Sequence, residues 1–99
     1  MENLFVYGSL LQGRVQKRVI GREITSIEDR VKGYMKSTLR LGGKKYPVAV
    51  PFPGKLLEGK MLEVTWPELI SLDEYERDAY RRIKVVLQSG KEAWMDVGK

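Results

Sequence analysis

Two short stretches carry residues of the right kind and spacing for chemistry. Tyr7-Gly8-Ser9-Leu10 closes the first apolar run, Leu4-Phe5-Val6, and far along the chain Glu76 falls on the apolar stripe of a short predicted helix. A strand that breaks at a glycine turns backbone N–H groups outward, which is one way to hold an anion without a metal. A carboxylate set on an apolar stripe is desolvated, so its pKa rises toward the range in which it can accept and return a proton. The plain alternatives are a tight strand-to-helix connection and a solvated glutamate.

Composition narrows the chemistry further. The 99 residues contain no cysteine and no histidine, which removes disulfides, thiol nucleophiles, the usual zinc ligands and Ser-His or Cys-His pairs. Proton transfer is left to Asp, Glu, Lys or Tyr, and Ser9 has no histidine to activate it as a nucleophile. No metal site and no cofactor are expected. Residues 1–99 suit one domain. No apolar stretch reaches the ~20 residues that span a bilayer and the first residues lack a basic leader, so the expectation is a soluble, cytoplasmic protein without membrane association. The net charge of +5 would suit an anionic partner, yet Arg81, Arg82 and Lys84 lie beside Glu74, Glu76 and Asp78 in sequence, as on an ordinary solvated surface.

The elements that must position Tyr7–Leu10 and Glu76 follow from periodicity. Leu4 to Tyr7, apolar on consecutive residues, reads as a central strand buried on both faces. Leu10 to Ile20 has weak helical spacing and ends at Gly21. Ile24 to Tyr34 reads as extended with a break at Gly33, Gly42-Gly43 as a turn, and Tyr46 to Val50 as a strand that Pro51 and Pro53 stop. Leu56 to Val64 is a further strand. Thr65 and Glu68 have the spacing of a capping box, with Pro67 in the first turn, and predict a helix to about Arg77. On it Leu69, Leu72 and Glu76 share a stripe, and Asp73 and Arg77, four apart, can pair. Tyr80 to Leu87 and Ala93 to Val97 form a closing hairpin about Ser89-Gly90. This order is α+β: a small mixed β-barrel of five to six short strands with two short helices, closed enough to hide most strand edges.

These residues resemble the gamma-glutamylcyclotransferase-like superfamily, which includes the gamma-glutamylamine cyclotransferases and the avirulence-induced-gene-like proteins. Leu4-Phe5-Val6-Tyr7-Gly8-Ser9-Leu10 is similar to its opening strand and loop. Leu72-Asp73-Glu74-Tyr75-Glu76 with Tyr80-Arg81-Arg82 is similar to its L-D-x-Y-E-G…Y-x-R segment. Tyr46-Pro47 matches a Y-P pair between them, and Leu57-Glu58-Gly59-Lys60 a V-x-G-E strand. The resemblance implies an enzyme that cyclises a gamma-glutamyl amino acid or amine to 5-oxoproline and releases the amine without metal or cofactor. It makes Glu76 the catalytic acid/base and Tyr7, Gly8, Ser9 and Leu10 the substrate-holding loop, with Tyr80 lining the pocket or packing in the core and Arg82 an ion-pair partner. The chain departs from the pattern in three ways: Arg77 replaces the glycine after the catalytic glutamate, no tyrosine follows Trp94, and the 99 residues are few for the family. Two other readings stay open. One is a non-enzymatic module of this fold that binds a small carboxylated molecule; the other, less expected, is a basic barrel that binds nucleic acid through Arg81, Arg82 and Lys84.

Overall fold

Leu4, Phe5 and Val6 lie in the first strand, β1 (Glu2–Val6), and all three are buried, as a strand covered on both faces requires. The computed structural model describes residues 1–76 and 79–99, with Glu76 as backbone alone. A 3-10 turn (Ser9–Leu11), helix α1 (Gly13–Ile20), strands β2 (Ser26–Leu41) and β3 (Lys44–Val64), helix α2 (Trp66–Glu76) and strands β4 (Tyr80–Val86) and β5 (Glu92–Gly98) follow. The sheet runs β2-β3-β1-β5-β4, so β1 is central. It lies antiparallel to Lys60–Val64 of β3 and parallel to β5 through Leu4 opposite Trp94 and Phe5 opposite Met95. A further pairing, Ala49 with Val97, joins the first half of β3 to β5. The sheet therefore curls back on itself into the expected barrel-like α+β form, with five strands.

Alternation along β1 divides the core. Phe5 packs inside the curl with Met61, Met95, Ala49 and Val97. Leu4 and Val6 point the other way, onto Leu62 and Val64 of β3, Val15 of α1 and Leu69 and Leu72 of α2. Gly59 lets these layers meet: a Cβ there would stand 2.3 Å from the Val6 carbonyl oxygen and 2.7 Å from the Phe5 ring. Only a residue without a side chain fits that approach.

Three boundaries differ from expectation. The first helix splits into the 3-10 turn and α1, which starts at Gly13 and ends at Gly21 in the left-handed region. Strand β2 runs on past Gly33, and β3 continues through Pro51 and Pro53, so these two strands are 16 and 21 residues long rather than short. The prolines fit because the ladder is already interrupted there. Lys32 faces Leu56 but Tyr34 faces Pro51, which loops out residues 52 to 55, and the other edge of residues 50–59 has no strand partner among the described residues. Prolines are confined to such edges and bulges.

The remaining signals hold. Gly42 and Gly43, both at positive φ, make the two-residue turn between Leu41 and Lys44, a connection that demands positive φ at both positions. The capping box forms: the Thr65 N–H donates to Glu68 Oε1 at 2.8 Å and the Glu68 N–H donates to Thr65 Oγ1 at 3.3 Å. Strands β4 and β5 pair from Tyr80 opposite Gly98 to Val86 opposite Glu92. Arg77 and Asp78 lie outside the described residues, so the expected Asp73–Arg77 pair falls there as well.

Candidate active site

Where β1 ends, the chain turns sharply and two devices hold the turn in place. Gly8 lies so close to Pro47 that a Cβ would come within 2.9 Å of the proline Cγ, which gives both the glycine and the Tyr46-Pro47 pair a steric purpose. Behind the bend, the buried Gln16 of α1 donates from Nε2 to the Leu10 carbonyl at 2.8 Å and accepts at Oε1 from the Ile24 N–H at 2.9 Å. A buried amide satisfied at both ends is a rigid strut. Within the bend, Leu11 and Gln12 donate their N–H groups to the Gly8 and Ser9 carbonyls at 3.0 and 3.1 Å. The N–H groups of Ser9 and Leu10 head the turn, where no intra-turn acceptor exists.

Two tyrosines tie this bend to the rest of the sheet. Tyr7 Oη donates to the Asp96 carbonyl oxygen at 2.5 Å and accepts from the Ala49 N–H at 3.0 Å, linking the end of β1 to β5 and β3. Tyr80 Oη donates to the Pro47 carbonyl. The two hydroxyls thus clamp four strands, β1, β3, β4 and β5, around one small cavity.

That cavity has a volume of about 40 Å³ and is walled by Tyr7, Gly8, Ser9 and Leu10 together with Tyr80 and Asp96, over Phe5 and Val6. It has room for about three waters, so a larger ligand must sit across its mouth. All five residues assigned to substrate binding therefore line one hollow. Glu76, the expected acid/base, is the last residue of α2; its side chain lies outside the described residues.

Asp96 was not expected in this wall. Burial, then repulsion from Asp73, push its carboxyl up to about 6, and Arg82 offsets only part of that. Arg82 faces Asp96 directly in the β4–β5 register, yet it spends its guanidinium elsewhere. It donates from Nε and Nη2 to the two Asp73 oxygens at 3.0 and 2.9 Å and stands 4.2 Å over the Trp94 ring, with Trp66 at 5.5 Å. The fork and the stack hold the arginine in place, and its third nitrogen, Nη1, is buried without a hydrogen-bond partner. Arg82 is thus an ion-pair partner, as expected, with Asp73 as the acid.

The sequence carried a weak signal for Asp96. The Ser89-Gly90 turn sets a register that puts an acid opposite Arg82. Gln16 gave no signal at all. Among the described residues no group of three or more His, Cys, Asp or Glu could hold a metal ion, and no helix is long and apolar enough to cross a membrane.

The sequence profile described as gamma-glutamyl cyclotransferase, AIG2-like, matches residues 4–97. The chain belongs to that family. AIG2-like protein D of Arabidopsis thaliana is 30% identical over 86 residues, which are 86% of this chain and 55% of that protein, so the chain spans about half the length of this relative. Another Arabidopsis thaliana protein, known from a solution structure, is 28% identical with a TM-score of 0.84 over 98% of this chain and 68% of its own. The structure of a gamma-glutamyl cyclotransferase has a TM-score of 0.77 at 18% identity, covering 99% of this chain and 66% of that one. At that identity the likeness is one of fold.

Proposed function

We propose that this protein cyclises a gamma-glutamyl amino acid or amine to 5-oxoproline and releases the amine, with Glu76 as the general acid/base. The observation that carries the reading is the convergence of Tyr7, Gly8, Ser9, Leu10 and Tyr80 on one cavity in a chain of the cyclotransferase family. In the reaction the substrate's α-ammonium loses a proton to Glu76, and the free amine attacks the gamma-carbonyl carbon. The bond from that carbon to the leaving nitrogen then breaks as Glu76 returns the proton to it, and the second proton that the new ring nitrogen sheds passes to the released amine, which departs as an ammonium ion. The Tyr7–Leu10 bend holds the glutamyl group folded, with the N–H groups of Ser9 and Leu10 directed at its carboxylate or carbonyl oxygen. Holding the two reacting atoms together is worth roughly 7–11 kcal/mol, and the positioned base adds about 10²–10⁴-fold. No step needs a cofactor.

Purified protein incubated with a panel of gamma-glutamyl amino acids and amines should release 5-oxoproline from at least one. Glu76→Gln keeps the shape and removes the proton carrier, so the rate should fall by about 10²-fold or more. Product formation by that variant at the wild-type rate would reject Glu76 as the carrier.

The small volume of the cavity supports a second reading, the binding of a carboxylated molecule without turnover. Saturable binding of panel compounds with no 5-oxoproline from any of them would establish it. Against the nucleic-acid reading, Arg82 is taken up by Asp73 and Trp94, and Lys84 lies 4.2 Å over the same Trp94 ring, which leaves Arg81 of the three as an exposed cation without such a contact among the described residues.

A further inference from the structure

Asp96 is a costly residue that the reaction just described does not use. Its side chain is half-buried in the wall of the cavity beside the Tyr7–Leu10 bend. Among the described residues its side chain has no ion pair and no hydrogen bond, although an arginine stands opposite on the neighbouring strand. A carboxylate partly withdrawn from water without a partner is destabilising, and the arginine opposite gives Nε and Nη2 to Asp73, while its Nη1 is buried without a hydrogen-bond partner. The unmet acid stands in the wall of the cavity that the Tyr7–Leu10 bend also lines.

We propose that Asp96 seats the ammonium group of the ligand, so that this cavity selects gamma-glutamyl compounds whose α-nitrogen is free and cationic. The inference rests on the proposed function and names the end of the substrate that the pocket recognises. The groups around Asp96 fit the role. Asp73 of α2 adds negative potential, Arg82 of β4 is held by Asp73, and the hydroxyls of Tyr80 and Tyr7 donate to the Pro47 and Asp96 carbonyls. The floor, Phe5 and Val6, is apolar. A cation entering this wall meets the Asp96 carboxylate, with the Asp73–Arg82 ion pair behind it. With the Asp96 carboxyl already raised to about 6, its negative form, and with it the seat, is complete above that pH and vanishes below it. Glu76 keeps the proton transfer; Asp96 is a binding and positioning group.

The test uses Glu76→Gln protein, in which turnover is removed, and follows binding of gamma-glutamyl methylamide by calorimetry from pH 5 to pH 8. Affinity should rise about tenfold between pH 5 and pH 7, and adding Asp96→Asn should weaken binding at pH 7 at least tenfold and flatten that rise. Asp96→Glu should restore part of it. The N-acetylated methylamide, which has no ammonium, should bind Glu76→Gln and the double variant alike. In otherwise wild-type protein, Asp96→Asn should raise KM with little change in kcat. Equal affinity and equal pH dependence with and without Asp96 would overturn the seat and leave the proposed reaction standing. Asp96-dependent binding in a protein that makes no 5-oxoproline would do the reverse. No binding of the methylamide to either protein would overturn the seat. Melting temperatures at pH 8 no lower for Asp96→Asn than for wild type would exclude unfolding as the cause of weakened binding.

Discussion

Glu68 at the head of α2 and Asp96 in the cavity wall are both acids with an arginine close by, and their environments act in opposite directions. Glu68 accepts from Arg22 Nε and Nη2 at 2.8 and 2.9 Å and from the Thr65 N–H at 2.8 Å. The Arg22 hydrogen bond, against a smaller cost of burial, brings its carboxyl down to about 2. Asp96 has the deeper position and none of the partners, and stands at about 6. Proximity of a cation does not decide which outcome an acid has. Arg22 has one acid to serve, whereas Arg82 is shared and goes to Asp73, where two hydrogen bonds and the Trp94 face fix it. The head of α2 is built for stability and the cavity gives stability up, a division typical of a fold that positions a reactive or binding group.

The largest effect should come from removing the strained member. An acid whose folded pKa of about 6 exceeds its ordinary 3.8 binds its proton more tightly in the native state. Its contribution is present at low pH and is lost as pH rises through 6. Asp96→Asn, neutral at every pH, should therefore stabilise the protein at pH 8 by about 2 kcal/mol and by little at pH 4. Urea unfolding at the two pH values measures the difference. A variant less stable than wild type at pH 8 would show that the carboxylate is satisfied after all.

How far the sequence discloses each acid follows from the range of the interactions involved. The Thr65–Glu68 box spans three residues and its geometry is dictated by one helical turn, so it is legible as written. The same holds for β1, whose consecutive apolar residues closed by Gly8 read as a strand buried on both faces, and for the Gly42-Gly43 turn. The bend at Tyr7–Leu10 and the place of Tyr80 were legible through family resemblance. The status of Asp96 depends on Asp73 of α2 taking two nitrogens of Arg82, and that of Gln16 on Leu10 and Ile24 arriving at its two ends. Neither can be read from spacing. Pro51 and Pro53 misled for a related reason: a proline stops a strand that is paired on both sides, and only the tertiary arrangement shows that this stretch of β3 has a looped ladder and an open edge.

Glu68→Gln should produce a smaller change of opposite sign. A carboxyl held at about 2 against an ordinary 4.5 contributes stability above pH 4.5 that is lost as pH falls toward 2. Because the pair faces solvent, with the Arg22 side chain 44% exposed, the loss in the variant should be about 1 kcal/mol near neutrality rather than the full value of the shift. Wild type and variant should converge near pH 2 in acid unfolding followed by circular dichroism. Parallel curves would mean that the pair contributes nothing to folding.

The smallest effect separates the cap from the ion pair. Thr65→Ala removes the hydroxyl that accepts from the Glu68 N–H and should cost about 0.5–1 kcal/mol, the usual value of an N-cap. It leaves in place the backbone N–H that donates to Glu68 Oε1 and both bonds from Arg22. The cause that most lowers the Glu68 carboxyl is the Arg22 hydrogen bond, so the alanine variant should keep the acid limb of its stability curve while the whole curve drops. Loss of that limb together with the cap would mean that Thr65, and not Arg22, keeps Glu68 ionised. The contrast with Asp96 would then be one between a capped and an uncapped acid, with the arginines incidental.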